Sequence, residues 1–238
     1  MKYSLNKVKS AKGDLQGFFN RLILEPIFDR STWFIANFTN LTANHLSFIG
    51  FIFGVASAIS FFTQHFIFGA VFFEIMNLFD TFDGRIARLK NISSKFGTYV
   101  DWYLGFYMTF IISFGLLWGL YAKFGDLNIW PYGILLYFLL IIRFVEGNVV
   151  GFITGGAENY KKTVNTGETN SLLSKIRRFF IKLGLREPFN MTDNQHVIFF
   201  IMPITGWYYG LYWVMVIGIT LHVLVWFFNY RALLKNIT

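Results

Sequence analysis

The chain has 238 residues, of which 55% are hydrophobic, 21% aromatic and 14% charged, and it carries a net charge of +8. A soluble domain of ordinary composition has about 25% charged residues, so this balance excludes such a domain and points to lipid as the solvent. The absence of cysteine excludes disulfides, thiolate catalysis and cysteine-ligated zinc.

Residues 1–13 are basic and run into an amphipathic stretch instead of a short apolar core with a small-residue cleavage site, so no removable signal peptide is expected. From Asp14 to Phe38, apolar residues such as Phe18, Leu22, Ile27 and Phe34 alternate with Arg21, Glu25, Asp29 and Arg30. That is too polar to span a bilayer. It predicts a helix, broken or restarted near Pro26, that either lies at the membrane interface with Trp33 at headgroup level or packs against the bundle.

Turn and capping residues at Asn40–Asn44 introduce a first span over about 44–63. The apolar part of a second span starts near Phe66 and ends at Phe79, yet only Gly84 interrupts the helical pattern after it, which predicts about three further turns beyond the lipid core. Third to sixth spans are expected over about 96–121, 130–153, 196–207 with some extension, and 211–228. Between the fourth and fifth lies a long polar loop, 154–194, with an amphipathic helix expected over 171–183. The fold class is therefore all-α: one polytopic domain over 1–238, with an interfacial segment 1–43 and a six-helix bundle over 44–232. Nothing in this sequence reads as a repeat or a low-complexity tract.

Six spans put both termini on one side. On that layout Lys123 is the only basic residue in a far-side loop and Arg143 lies within the fourth span, leaving 19 of the 21 Lys and Arg residues on the side of the termini. By the positive-inside rule that side is cytosolic. The expected partners of such a rim are anionic headgroups and phosphorylated substrates. Nucleic acid is not expected, because the basic residues are spread around a membrane bundle.

The chemistry is concentrated in Asp80-Thr-Phe-Asp83-Gly84-Arg85-Ile-Ala87-Arg88, with Gly97 and Asp101 following. Carboxylates near a membrane are costly to bury unpaired, so they face a cavity, partner cations or a metal. Asp80 and Asp83, three apart, share a helix face, and an antiparallel neighbour can bring Asp101 opposite them. Three converging carboxylates suit Mg²⁺ or Mn²⁺. Gly84 and Ala87 would let a ligand approach the helix, while Arg85 and above all Arg88 could neutralise phosphate oxygens. The alternative is an interfacial salt-bridge cluster of Asp80 and Asp83 with Arg85, Arg88 and Lys90.

This segment resembles the signature of the cytidine diphosphate-alcohol phosphotransferase family, D-x2-D-G-x2-A-R-x8-G-x3-D-x3-D. Seven of its eight defined positions are filled, by Asp80, Asp83, Gly84, Ala87, Arg88, Gly97 and Asp101, a coincidence on the order of 10⁻⁸ per starting position at ordinary residue frequencies. The six spans, the basic interfacial helix and the Leu-Thr-Ala-Asn lead-in also look like that family. The resemblance implies transfer of a phosphoalcohol group from a cytidine diphosphate (CDP)-alcohol donor to an alcohol or lipid acceptor, with release of cytidine monophosphate (CMP), in phospholipid or related phosphodiester synthesis. It further implies metal ligation by Asp80, Asp83 and Asp101, and substrate binding by Gly84, Ala87, Arg88 and Gly97. A homodimer and a location in a bacterial inner membrane are expected on the same ground.

At the eighth position, where the family has the aspartate taken as general base, this chain has Gly105. Glycine can neither accept a proton nor bind an ion. Glu74 and Glu146 are candidates for a substitute base, with Asp101 and Tyr103 behind them; Glu74, six residues before Asp80, lies about 9 Å deeper along a helix. A water or the acceptor's own phosphate is a second solution, and a relative that binds nucleotide or lipid without turnover is a third. Arg143 and Glu146, three apart on the fourth span, read either as an internal ion pair or, for Arg143, as an acceptor headgroup contact. Asn148, Lys161, Lys162, Arg177, Arg178 and Asp193 read chiefly as loop charges. His45, His65, His196 and His222 lack ligand spacing and are given no metal role.

Overall fold

The computed structural model describes residues 2–11, 17–153, 175, 179–180, 182–185 and 191–235, and among them it is all-α, with no β-strand. Helix α1 (Leu5–Ser10) is followed by a π-helical turn, Asn20–Leu24, that runs directly into α2 (Glu25–Phe38). Pro26 sits in the first turn of α2, where its missing N–H removes a donor that the widened turn before it does not need. The break expected at Pro26 is thus a change of helical pitch.

Helix α3 (Ala43–Phe62) begins at Thr42, whose hydroxyl accepts from the His45 backbone N–H while the His45 ring accepts from the Thr42 N–H, a reciprocal cap. Gln64, with φ of +66°, turns the chain back. Helix α4 (Phe66–Leu89) continues ten residues beyond Phe79, as its pattern predicts. Asn91, left-handed at φ +54°, turns it towards α5 (Lys95–Phe124). That helix is capped at Ser94, which accepts from Gly97 N–H, and it stops at Gly125, whose left-handed φ of +66° glycine adopts at least cost. Then come α6 (Ile129–Ile153), α7 and α8 (Gly210–Lys235). Helix α7 comprises Met191–His196, a π-helical turn Val197–Ile201, and Met202–Thr205 with Pro203 in its first turn.

Close packing of α3 on α5 depends on two glycines. A Cβ on Gly115 or Gly119 would overlap the carbonyl oxygens of Ala58 and Phe61, so only glycine permits these backbones to touch. The larger core joins α3 to α8 through Phe61, Phe73, Ile112, Leu116, Leu140 and Phe199. A second core lies towards the amino terminus, where Tyr3, Val8 and Phe28 pack on Leu46, Phe82, Ile86 and Leu89.

Helices Ala43–Phe62 and Tyr99–Phe124 are long and apolar enough to cross a membrane, and shorter apolar stretches run over Ile129–Ile142 and Gly210–Leu224. The loop 154–174 and most of the helix expected over 171–183 lie outside the described residues.

Candidate metal and nucleotide site

The three sequence-predicted carboxylates come together. Asp80 and Asp83 leave α4 one turn past its apolar part, Asp101 leaves α5 near its start, and one oxygen from each lies within 4.8 Å of the others. They line an open cleft shared with Ser47, Gly50 and Phe51 of α3, Met76 of α4, and Leu104, Gly105 and Met108 of α5. Asp80 and Asp101 are exposed to this cleft, whereas Asp83 is buried against α3.

Their charge is relieved only in part, by hydrogen bonds from Ser47 and the Gly84 backbone to Asp83 and by the more distant guanidinium of Arg88. Ser47 Oγ lies 2.5 Å from Asp83 Oδ2 and 3.1 Å from the Ala43 carbonyl oxygen. One hydroxyl proton serves only one of these acceptors, so both contacts are satisfied when Asp83 itself holds a proton. Burial, then the charge of Asp80, pushes the Asp83 carboxyl up from the ordinary carboxylate range. Burial, then Asp101, does the same to Asp80. Like charges crowded out of bulk water favour protonation, which a bound cation would oppose.

The alternative of an interfacial salt-bridge cluster is not what the side chains build. Arg85 turns away and is buried under α2, with Nη1 2.6 Å from Asp29 Oδ1 and Cζ 5.2 Å from the centre of the Phe28 ring. The phosphate role raised for Arg85 on sequence grounds is thereby corrected: its guanidinium ties α2 to α4. Arg88 Nε donates to the Ala11 carbonyl oxygen at 2.7 Å, and Lys90 Nζ to that of Leu41 at 3.2 Å. Among the described residues, no cation lies within ion-pair distance of Asp80, Asp83 or Asp101.

An all-oxygen, acidic donor set with one face open fits a hard divalent cation and leaves coordination positions for phosphate oxygens. Gly84 presents bare backbone beside the cluster. A Cβ there would stand 3.3 Å from Arg88 Nη1. Gly97, at the amino-terminal end of α5, donates its N–H to Ser94 Oγ, and Ala87 is half-buried on α4. At Gly105 a Cβ would meet nothing within 4 Å, so the cleft has open space where the signature would place a fourth carboxylate.

Glu74 lies outside the cleft lining. Its Oε1 is 2.7 Å from His196 Nδ1, whose Nε2 is 2.9 Å from Asn20 Oδ1, and Phe19 stacks on the imidazole at 4.2 Å. This buried node ties the amino-terminal turn, α4 and α7 together. Asp193 does similar work, accepting from the Phe18 and Phe19 N–H groups at 3.0 and 3.1 Å. The side chains of Arg143, Glu146 and Asn148, and residues Lys161, Lys162, Arg177 and Arg178, lie outside the described residues.

Sequence reading missed Ser47, whose partner is 36 residues away. It also missed the burial of His196. Neither has a local signal, because each depends on which helix packs opposite.

Fold and site together define an all-helical protein with an acidic, phosphate-compatible cleft at the mouth of apolar helices. A model of the CDP-alcohol phosphatidyltransferase family matches residues 40–181, which is more than half of the chain and includes the whole cleft, and the chain belongs to that family. The family is membrane-bound, generally depends on a divalent metal, and transfers phosphoalcohol groups from CDP-alcohol donors to alcohol acceptors. No curated protein matches the sequence.

Proposed function

We propose that this protein transfers a phosphoalcohol group from a CDP-alcohol to an alcohol or lipid acceptor, releasing CMP, with Asp80, Asp83 and Asp101 holding Mg²⁺ or Mn²⁺. The observation that carries this reading is the meeting of three carboxylates from two helices, with no cation within ion-pair distance among the described residues. A bound divalent ion would neutralise the diphosphate and stabilise the departing CMP. The chain's own groups do the rest. Gly84 and Ala87 admit the nucleotide against the α4 backbone, Gly97 keeps the start of α5 clear, and Arg88 offers a planar cation to phosphate oxygens. The apolar cleft wall of Phe51, Met76, Leu104 and Met108 suits the aliphatic part of a lipid substrate, and Arg143 is assigned to the acceptor's headgroup. In the reaction the acceptor oxygen bonds to the phosphorus bearing the donor alcohol, the bond to the CMP oxygen breaks, and the hydroxyl proton leaves to a base.

The topology that goes with this reading is one domain of six spans, with both termini and the cleft on the cytosolic side of a bacterial inner membrane. Purified protein incubated with Mg²⁺ or Mn²⁺, a panel of CDP-alcohols and candidate acceptors should release CMP. Asp80→Asn should cut that release by about 100-fold or more. Unchanged CMP release in this variant would refute the assignment.

Gly105 supports a second reading, a relative that binds nucleotide or lipid without turnover, because the open space beside it holds no carboxylate to take the acceptor's proton. Wild-type turnover well above background removes that reading.

A further inference from the structure

Three cations end α4, and the amino-terminal region holds all of them: Arg85 through Asp29, Lys90 through the Leu41 carbonyl, and Arg88 through the Ala11 carbonyl. Arg85 is buried by its partners. Arg88 keeps its reach, because only Nε is engaged, while Nη1 and Nη2 lie over Gly84, 3.3 and 3.5 Å from where a Cβ would stand. A guanidinium gripped at Nε presents its two terminal nitrogens as a fixed fork, the arrangement that takes two phosphate oxygens at once.

The segment that supplies the grip is itself anchored. Tyr3 and Val8 are buried in the core with Phe28, Phe82, Ile86 and Leu89. The Tyr3 N–H donates to Asn37 Oδ1 at 2.9 Å, and its carbonyl accepts from Asn37 Nδ2 at 3.0 Å and Trp33 Nε1 at 3.1 Å. These ties hold Ala11, 77 residues from Arg88 in sequence, beside α4.

We infer that residues 2–11 form a strap that positions Arg88 for the donor's phosphates, the Ala11 carbonyl fixing Nε so that Nη1 and Nη2 face the ligand over Gly84. Lys7 and Lys9 on the strap add positive potential at the same rim. The strap is a positioning element that need not touch the ligand. The inference rests on the nucleotide-binding face proposed above.

Calorimetric titration of CMP into the full-length protein, in detergent with Mg²⁺, tests it through a double-mutant cycle. Arg88→Ala removes the fork; Val8→Asp unseats the strap; Asn37→Ala loosens it without entering the core, and serves if Val8→Asp fails to fold. Arg88→Ala is expected to weaken CMP binding about 10-fold, the worth of one charge-assisted contact. Strap variants should lose a comparable factor alone and almost nothing further when combined with Arg88→Ala, because both act through one group. Mn²⁺ affinity should stay at the wild-type value in the strap variants. Full additivity, or unchanged CMP affinity in the strap variants, would overturn the strap's role while leaving the nucleotide-binding face intact. Tighter CMP binding in those variants would overturn it too, showing that the strap obstructs the site. If Arg88→Ala binds CMP as wild type does, the nucleotide-binding face itself falls, and the strap's role with it.

Discussion

Helix α4 carries two kinds of charged site, paired and clustered. At Arg85 and at Glu74 each charge meets a close partner, Asp29 at 2.6 Å and His196 at 2.7 Å, with aromatic rings packed against the cation or the ring. At Asp80, Asp83 and Asp101, three carboxylates converge on one another, and among the described residues no cation stands within ion-pair distance of them. Burying a charge without a partner is expensive. The first arrangement therefore answers to folding, whereas the second has no such partner among the described residues and fits the metal site proposed above.

Substitutions on the two sides should separate cleanly. The largest effect on stability is expected from Arg85→Ala, which leaves Asp29 buried without its partner and should cost about 3–5 kcal/mol. Thermal unfolding in detergent would register this as a lower Tm, whereas Asp80→Asn should leave Tm unchanged or raise it in metal-free buffer. If Asp80→Asn destabilises as strongly as Arg85→Ala, the contrast between the regions fails.

Next in size is Gly105→Asp. Its side chain enters open space and supplies the fourth carboxylate of the signature, so CMP release should rise by about 100-fold, the lower end of the range for a general base. A variant slower than wild type would show that the acceptor itself uses that space.

A smaller, graded effect is expected from pH. Asp80 and Asp83 have carboxyls raised by burial and mutual charge, so the metal-free folded state binds protons that the unfolded chain has released. Their contribution to stability is complete below the ordinary carboxylate pKa of about 4 and is lost as pH climbs through the raised values. Metal competes with those protons, so Mn²⁺ affinity should increase across that window and level off above it. Titrations at stepped pH check this; an affinity that is flat or falls with pH would contradict it.

Much of the site was legible in sequence because its determinants are local. Asp80 and Asp83 share a helix face by spacing alone, the helix past Phe79 lacks a breaker, and the short turn into α5 makes Asp101 their neighbour. The caps at Thr42 and Ser94 likewise follow from residue type. What could not be read off depends on which helix packs against α4. Spacing puts Arg85 between the two halves of the motif and so suggests a ligand role. Only the position of α2, with Glu25, Asp29 and Thr32 buried along one side, turns Arg85 inward. The same holds for Ser47 on Asp83 and for Ala11 on Arg88, contacts 36 and 77 residues apart that no periodicity encodes.

The most direct measurement is Mn²⁺ binding followed by electron paramagnetic resonance on the purified chain, without substrate. Wild type should show saturable binding that Asp83→Asn or Asp101→Asn abolishes, while Asp29→Asn and Glu74→Gln, which alter the paired regions, leave it intact. Binding that survives in Asp83→Asn and Asp101→Asn alike would contradict the account.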